Sequence, residues 1–370
     1  MSGYWNNRTK NLSPYVPGEQ PRDRQFIKLN TNENPYPPSP AVIEAIQKAA
    51  DDKLRLYPDP ECTQFREAVA ERYGVEPGQV FAGNGSDEIL SFAFGAFFEK
   101  TILFPDITYS FYPVFAGLWD IPFNTVPLCE DFSININDFK IPSGGTVISN
   151  PNAPTGIALP LDDILSLAEY SGGACGAQLK QCAQKNVLIV DEAYTAFGAG
   201  SASAYIGKYP NMLIVNTLSK SASLAGLRAG FAIGGRELIE GLRRIRDSFN
   251  SYTLDRLALC GAAAAVKDEK YYDEINRKVM ATRERVSVSL RSLGFLVLPS
   301  CANFIFIKNA KIKGAQLSEA LRKQGILVRH FQRDRIEDFI RVSMGTDEQM
   351  NIFINSCKNI LGVNDEDYQK

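Results

Sequence analysis

Short apolar runs alternate with longer stretches in which apolar residues recur at helical spacing, and this alternation dominates the chain from Val80 to Gly234. The runs VFAG at 80, TILF at 101, TVIS at 146, VLIV at 187, MLIVN at 212 and FAI at 231 read as strands, with a helix expected from about Ser86. Near-continuous apolar strands separated by helices predict an α/β protein with a largely parallel, helix-covered sheet. The polar and glycine-rich segments GNGSDE, NPNAPTG, DEAY and TLSK stand at or just beyond the ends of these runs. Open α/β sheets bind ligands at the carboxyl edge, so the chemistry is expected there.

Elsewhere, Ser39 can cap a helix that begins with Pro40 and carries Val42, Ile43, Ile46 and Ala49 at helical spacing. A helical stretch from about Leu161 to Gln184 is interrupted by Gly172, Gly173 and Gly176, for which the pattern offers no reason. From about Tyr252 to Leu290 the pattern stays helical and reads as a connector. Beyond Gly294, the strand candidates FLVLP, NFIFIK, GILVR and DFIRVS enclose one helical run near Leu317 to Arg322, which predicts a smaller α+β domain.

Composition narrows the function. A chain of 370 residues, 45% hydrophobic and 22% charged, can bury a large core. Forty basic against forty-two acidic residues leave a net charge of -2, which argues against a nucleic-acid binder. The single histidine, His330, removes multi-histidine metal sites and most histidine acid/base schemes; it is read as a solvent or core residue, and no metal is expected. Seven cysteines are scattered without C-x-x-C spacing, which points to reduced thiols and a cytoplasmic setting. The polar N-terminus does not read as a secretory signal. The most apolar stretches, Ile89 to Phe98 and Leu257 to Val266, fall short of the about 20 residues that a membrane span needs and read as core helices.

The segment TLSKSASLAGLR carries the most unusual chemistry. It places Lys220 at a strand end beside Thr217 and Ser219, with Gly226 and Arg228 following. Partial desolvation and a fixed cation lower an amine's pKa, so Lys220 could form a Schiff base. In VLIVDEAY, Asp191 stands at a strand end with Tyr194 three residues on. A carboxylate there could keep a pyridine nitrogen protonated, and a phenol could hydrogen-bond the adjacent ring oxygen.

Together with LSPY at 12, LNTNENPYPPSP at 29, LYPDP at 56, GNGSDE at 83, NPNAPTG at 150 and IRVSMGT at 340, these segments resemble the fold type I pyridoxal-phosphate enzymes, and within them the histidinol-phosphate aminotransferase family. The resemblance runs over nearly the whole chain. It implies a mostly parallel seven-stranded sheet in a large cofactor-binding domain at 41–260, a small α+β domain at 261–370, and an N-terminal segment at 1–40 that packs with the small domain and the active-site mouth. Lys220 is then the residue that carries pyridoxal 5'-phosphate as an internal Schiff base, with Asp191 on the pyridinium nitrogen and Tyr194 on the phenolic oxygen. Ser86, Asp87, Thr217, Ser219 and Arg228 form the phosphate cup, Tyr109 stacks on the ring, and Asn152 is a further contact to the phenolic oxygen. Ala153 stands where the family has a second asparagine. Tyr57 reaches the cofactor phosphate of the partner subunit, which implies a homodimer. Arg341 grips the substrate carboxylate, while Arg329, Tyr15 and Asn32 line the mouth around the substrate's own phosphate. The implied reaction moves an amino group from L-histidinol phosphate to 2-oxoglutarate through a 1,3-proton transfer by Lys220.

Threonine-phosphate decarboxylases share nearly all these motifs, and aromatic amino acids are alternative amino donors. A non-catalytic regulator of this fold usually carries a helix-turn-helix domain ahead of it, whereas here the family pattern begins by about Leu12. A nicotinamide dehydrogenase lacks its sequence signature, since no G-x-G-x-x-G follows the first strand.

Overall fold

Two sheets organise the molecule in a computed structural model that describes residues 3–20, 25–173 and 186–363. In chain order the strands are β1 (Ile27–Leu29), β2 (Val80–Gly83), β3 (Ile102–Pro105), β4 (Phe123–Val126), β5 (Gly145–Ser149), β6 (Val187–Asp191), β7 (Met212–Thr217) and β8 (Gly230–Gly234). They are followed by β9 (Phe295–Val297), β10 (Phe304–Asn309), β11 (Ile326–His330) and β12 (Ile340–Ser343). The larger sheet has seven strands in the order β2-β8-β7-β6-β5-β3-β4. Only β8 runs against its neighbours; the other strands share one direction.

The central strands β5 and β6 are buried at every residue, as expected of parallel strands covered on both faces. One face packs under the helices Thr63–Tyr73 and Arg256–Lys267, the other under Gly85–Phe97 and Arg236–Phe249. β4 departs from the apolar pattern: its first three residues are exposed at the sheet edge, so the polar run FNTV is not recognisable as a strand from periodicity.

The smaller sheet has the order β1-β11-β12-β10-β9. Its edge strand β1 comes from the N-terminal segment and pairs in parallel with β11, Ile27 opposite Ile326. The helices Gly314–Lys323 and Asp347–Leu361 pack in its core through Leu317, Leu321, Met350 and Phe353.

The expected helix over Pro40–Ala49 forms, and the Ser39 hydroxyl accepts from the Val42 amide as its cap. The long helical connector is two helices, Arg256–Lys267 and Glu269–Ser292, which meet at Asp268. The helix from Leu161 ends at Ser171, where Gly172 caps it and Gly173 takes φ +85°. Gly176 and the rest of that predicted stretch lie outside the described residues. Among the described residues, no helix is long and apolar enough to cross a membrane.

Candidate active site

The carboxyl ends of β2, β5, β6 and β7 open onto a cavity of about 530 Å³, and a smaller one of about 80 Å³ shares its wall. Asp87, Tyr109, Ala153, Tyr194, Lys220 and Arg228 line both. The smaller cavity is closed by Ser86, Asp191, Thr217 and Ser219, so the two polar blocks singled out from the sequence meet in one place.

Asp191 ends β6 and is buried. Its Oδ2 accepts from the Tyr112 hydroxyl at 3.0 Å and its Oδ1 from the Ala193 amide at 3.2 Å. Burial nevertheless pushes its carboxyl up to about 6, with the Tyr112 and Ala193 hydrogen bonds opposing. A cation placed against Asp191 would relieve that penalty, which is the demand a protonated ring nitrogen meets.

Lys220 lies in the turn after β7, and its Nζ donates to the Thr31 carbonyl at 3.2 Å. The turn is tied by the Thr217 hydroxyl, which lies 3.0 Å from Ser219 Oγ and accepts from the Ser219 amide. Arg228, in the left-handed region at φ +55°, reaches Ser219 Oγ at 3.4 Å and Asp87 Oδ2 at 3.3 Å. Asp87 Oδ1 takes the Tyr109 hydroxyl at 2.7 Å. The Asp87 carboxylate is thus committed sideways, leaving the backbone amides at the start of helix Gly85–Phe97 to serve an anion.

A Cβ at Gly226, two residues before Arg228, would meet nothing within 4 Å. The glycines that matter are Gly85 and Gly230. Gly85 takes φ +76°, and a Cβ there would stand 2.7 Å from Arg228 Nη2; one at Gly230 would stand 2.8 Å from the Ser86 amide nitrogen. Both keep the helix start open. The residues fit an anionic group at the helix start and a cationic ring nitrogen at Asp191, the charge pattern of pyridoxal phosphate.

The larger cavity continues to the smaller sheet and the N-terminal segment. Tyr15 stacks on Phe111 with ring centroids 4.3 Å apart, and Arg329 and Arg341 share the face of Phe331 at 5.8 and 5.6 Å. Arg341 Nη2 donates to the Asn30 carbonyl, while its buried Nε has no protein partner. That free N–H beside a cavity suits an anionic ligand.

Two of the named site residues, Asn152 and Tyr57, are not on this chain's cavity wall, and a third, Asn32, meets it with its side chain engaged elsewhere. Asn152 is buried in its own loop: its amide donates to the Ile107 carbonyl and Thr155 Oγ1, and its carbonyl accepts from the Thr108 hydroxyl. Ala153 and Pro154 line the wall in its stead. Asn32 touches the cavity, but its side chain is spent on Tyr194 and Ser343 rather than presented at the mouth. Tyr57 is 79% exposed and stacks on Tyr252, away from this chain's own cavity. His330 faces the Glu337 carbonyl at 2.7 Å. Sequence reasoning missed Tyr112: nothing in TYSFY distinguishes the tyrosine that reaches Asp191 from the one that lines the cavity.

The family model for aminotransferases of class I and II matches residues 24–356. The histidinol-phosphate aminotransferase of Clostridium acetobutylicum is 53% identical over 363 residues, spanning 98% of this chain and all of the relative. That of Clostridium botulinum strain Kyoto is 51% identical over 98% of this chain and 99% of the relative. Among solved structures, the histidinol-phosphate aminotransferase of Sinorhizobium meliloti in complex with pyridoxal-5'-phosphate superposes with a TM-score of 0.84 at 21% identity, over 98% of each chain.

Proposed function

We propose, from the premise that this chain belongs to the class I and II aminotransferase family, that it transfers the amino group of L-histidinol phosphate to 2-oxoglutarate with pyridoxal 5'-phosphate as cofactor. The observation that carries the reading is the convergence of Lys220, Asp191, Tyr194 and Arg228 on one small cavity, in a chain 53% identical over its length to a relative of that name. The same relatives favour amino transfer over threonine-phosphate decarboxylation.

Bound here, pyridoxal phosphate supplies an aldehyde and an electron-withdrawing ring that stabilises negative charge at the substrate Cα. Lys220 Nζ would hold the aldehyde, and as a free amine beside the substrate Cα it would be the group that accepts and returns the Cα proton. Asp191 keeps the ring nitrogen protonated. Arg228, Thr217, Ser219, the Ser86 hydroxyl and the amides of Ser86 and Asp87 hold the phosphate. Tyr109, at the wall of both cavities, packs on the ring. Arg341 takes the carboxylate of glutamate in one half-reaction, and with Arg329 and Tyr15 the phosphate of the amino donor in the other.

A homodimer completes the site. The exposed rings of Tyr57 and Tyr252, stacked on each other, offer an aromatic surface to a second copy, from which Tyr57 reaches the partner's cofactor phosphate. The setting is cytoplasmic, in keeping with Cys62, Cys129, Cys260, Cys301 and Cys357 all standing free. The test is product analysis with purified enzyme: glutamate formed from L-histidinol phosphate and 2-oxoglutarate supports the reading, and carbon dioxide released from threonine phosphate in its place overturns it.

A further inference from the structure

The Asn32 backbone N–H donates to Ser343 Oγ at 2.8 Å. An N–H can only donate, so Ser343 Oγ accepts there; among the described residues Asn32 Oδ1, at 2.8 Å, is the one acceptor its own hydrogen meets, and a reversed amide would leave that hydrogen without any. This settles which end of the amide faces which neighbour, since the ends of an amide are told apart by their partners. The carbonyl end faces Ser343 and the NH2 end lies 2.9 Å from the Tyr194 hydroxyl. An amide nitrogen has no acceptor capacity, so the phenol oxygen accepts. Among the described residues no other group bonds that hydroxyl. The backbone of Asn32, at φ +57°, is held by Asn303, which donates to its carbonyl at 2.9 Å.

We propose that Asn32 is a positioning residue that sets the direction of the Tyr194 hydrogen bond. By donating to the phenol oxygen, it leaves the phenol hydrogen without a protein acceptor and turns it into the cavity that Tyr194 lines. The device reaches across the molecule. Ser343 lies on β12 two residues beyond Arg341, so the strand that carries the substrate arginine also fixes the polarity of a cofactor contact on the large-sheet side. This deepens the proposed function and rests on it for the acceptor, the ring oxygen of pyridoxal phosphate; the direction of the Asn32–Tyr194 bond stands without it.

The experiment compares Asn32→Asp, Asn32→Gly, Tyr194→Phe and the Asn32→Asp/Tyr194→Phe pair in full-length protein loaded with pyridoxal phosphate. Both replacements at position 32 tolerate its left-handed backbone. An aspartate accepts the phenol hydrogen and draws it away from the cavity, whereas glycine leaves it free. The readout is the pH midpoint of the bound cofactor's absorbance. Losing one hydrogen bond to a charged acceptor raises that midpoint by about one to two units. Asn32→Asp is expected to match Tyr194→Phe, the pair to add nothing further, and Asn32→Gly, which leaves the phenol hydrogen undirected, to shift the same way by less. An Asn32→Asp shift that recurs undiminished in the Tyr194→Phe background would come from its charge alone and would overturn the proposal, as would an unshifted Asn32→Asp. A second readout needs no cofactor: the Raman doublet of the phenol, taken as parent minus Tyr194→Phe, reports an acceptor in the parent and a donor in Asn32→Asp. Parent protein that takes up no pyridoxal phosphate would sink the proposed function while the Raman comparison still decides the bond direction.

Discussion

The hydroxyl of Tyr112, fully buried behind the cavity, donates to Asp191 Oδ2 at 3.0 Å. Asp191 faces the ligand from the end of β6 while Tyr112 begins the helix Tyr112–Leu118, so the carboxylate is braced from an element that does not line the smaller cavity. Tyr112→Phe should lower stability by about 1–2 kcal/mol and kcat by about tenfold, because a buried carboxylate oxygen loses its partner. Denaturant unfolding and steady-state kinetics read the two effects; unchanged kcat would mean that Asp191 needs no brace.

Asp191 and its neighbour Glu192 are both held above the ordinary carboxyl range, to about 6 and about 7, with burial the leading cause in each case. Their ordinary values lie near about 4. Between those limits the folded protein binds more protons than the unfolded chain, so their contribution to stability is complete below about pH 4 and is lost as pH rises through 6 to 7. Cofactor-free protein should therefore lose more stability between pH 5 and pH 8 than its Glu192→Gln variant, by on the order of 1–3 kcal/mol. Parallel urea midpoints in the two proteins would contradict this.

Much of this site is legible in the sequence because it is local. Lys220, Asp191 and Ser86 stand at or just beyond strand ends, and a parallel sheet brings such ends together whatever the loops do. Partnerships across the fold are not legible in the same way. Asn32 reaches Tyr194 and Ser343 over 162 and 311 positions, and its motif suggests only a polar mouth. Asn152 differs in the opposite way: its side chain is engaged by its near neighbours, hydrogen-bonding Thr155, the Ile107 carbonyl and the Thr108 hydroxyl, and the motif does not reveal this. β1 is three residues long and gains its strand character only from β11.

Arg329 and Arg341 lie against the two sides of one requirement, since both guanidiniums rest on Phe331. Arg341→Ala should raise KM for 2-oxoglutarate by about 100-fold. Phe331→Leu should raise KM for both substrates by about five- to thirtyfold, through loss of about 1–2 kcal/mol of cation–π support. Kinetics with each substrate varied in turn separates the cases; a Phe331→Leu effect confined to one substrate would count against a shared platform.

Gly85 leaves room for Arg228 at the helix start, with φ +76° and 2.7 Å from a notional Cβ to Nη2. Gly85→Ala should cost about 1–2 kcal/mol in stability through its backbone conformation. It should also weaken cofactor binding about tenfold by displacing Arg228. Fluorescence titration with pyridoxal phosphate reads the second effect apart from the first.

The most direct test of the account is the absorbance of the purified holoenzyme as L-histidinol phosphate and then 2-oxoglutarate are added, alongside Lys220→Ala. The first substrate should convert the bound cofactor to its amine form and the second should reverse it, while Lys220→Ala should show neither the parent spectrum nor turnover. A holoenzyme spectrum that L-histidinol phosphate leaves unchanged, or a Lys220→Ala protein that still turns over, would contradict it.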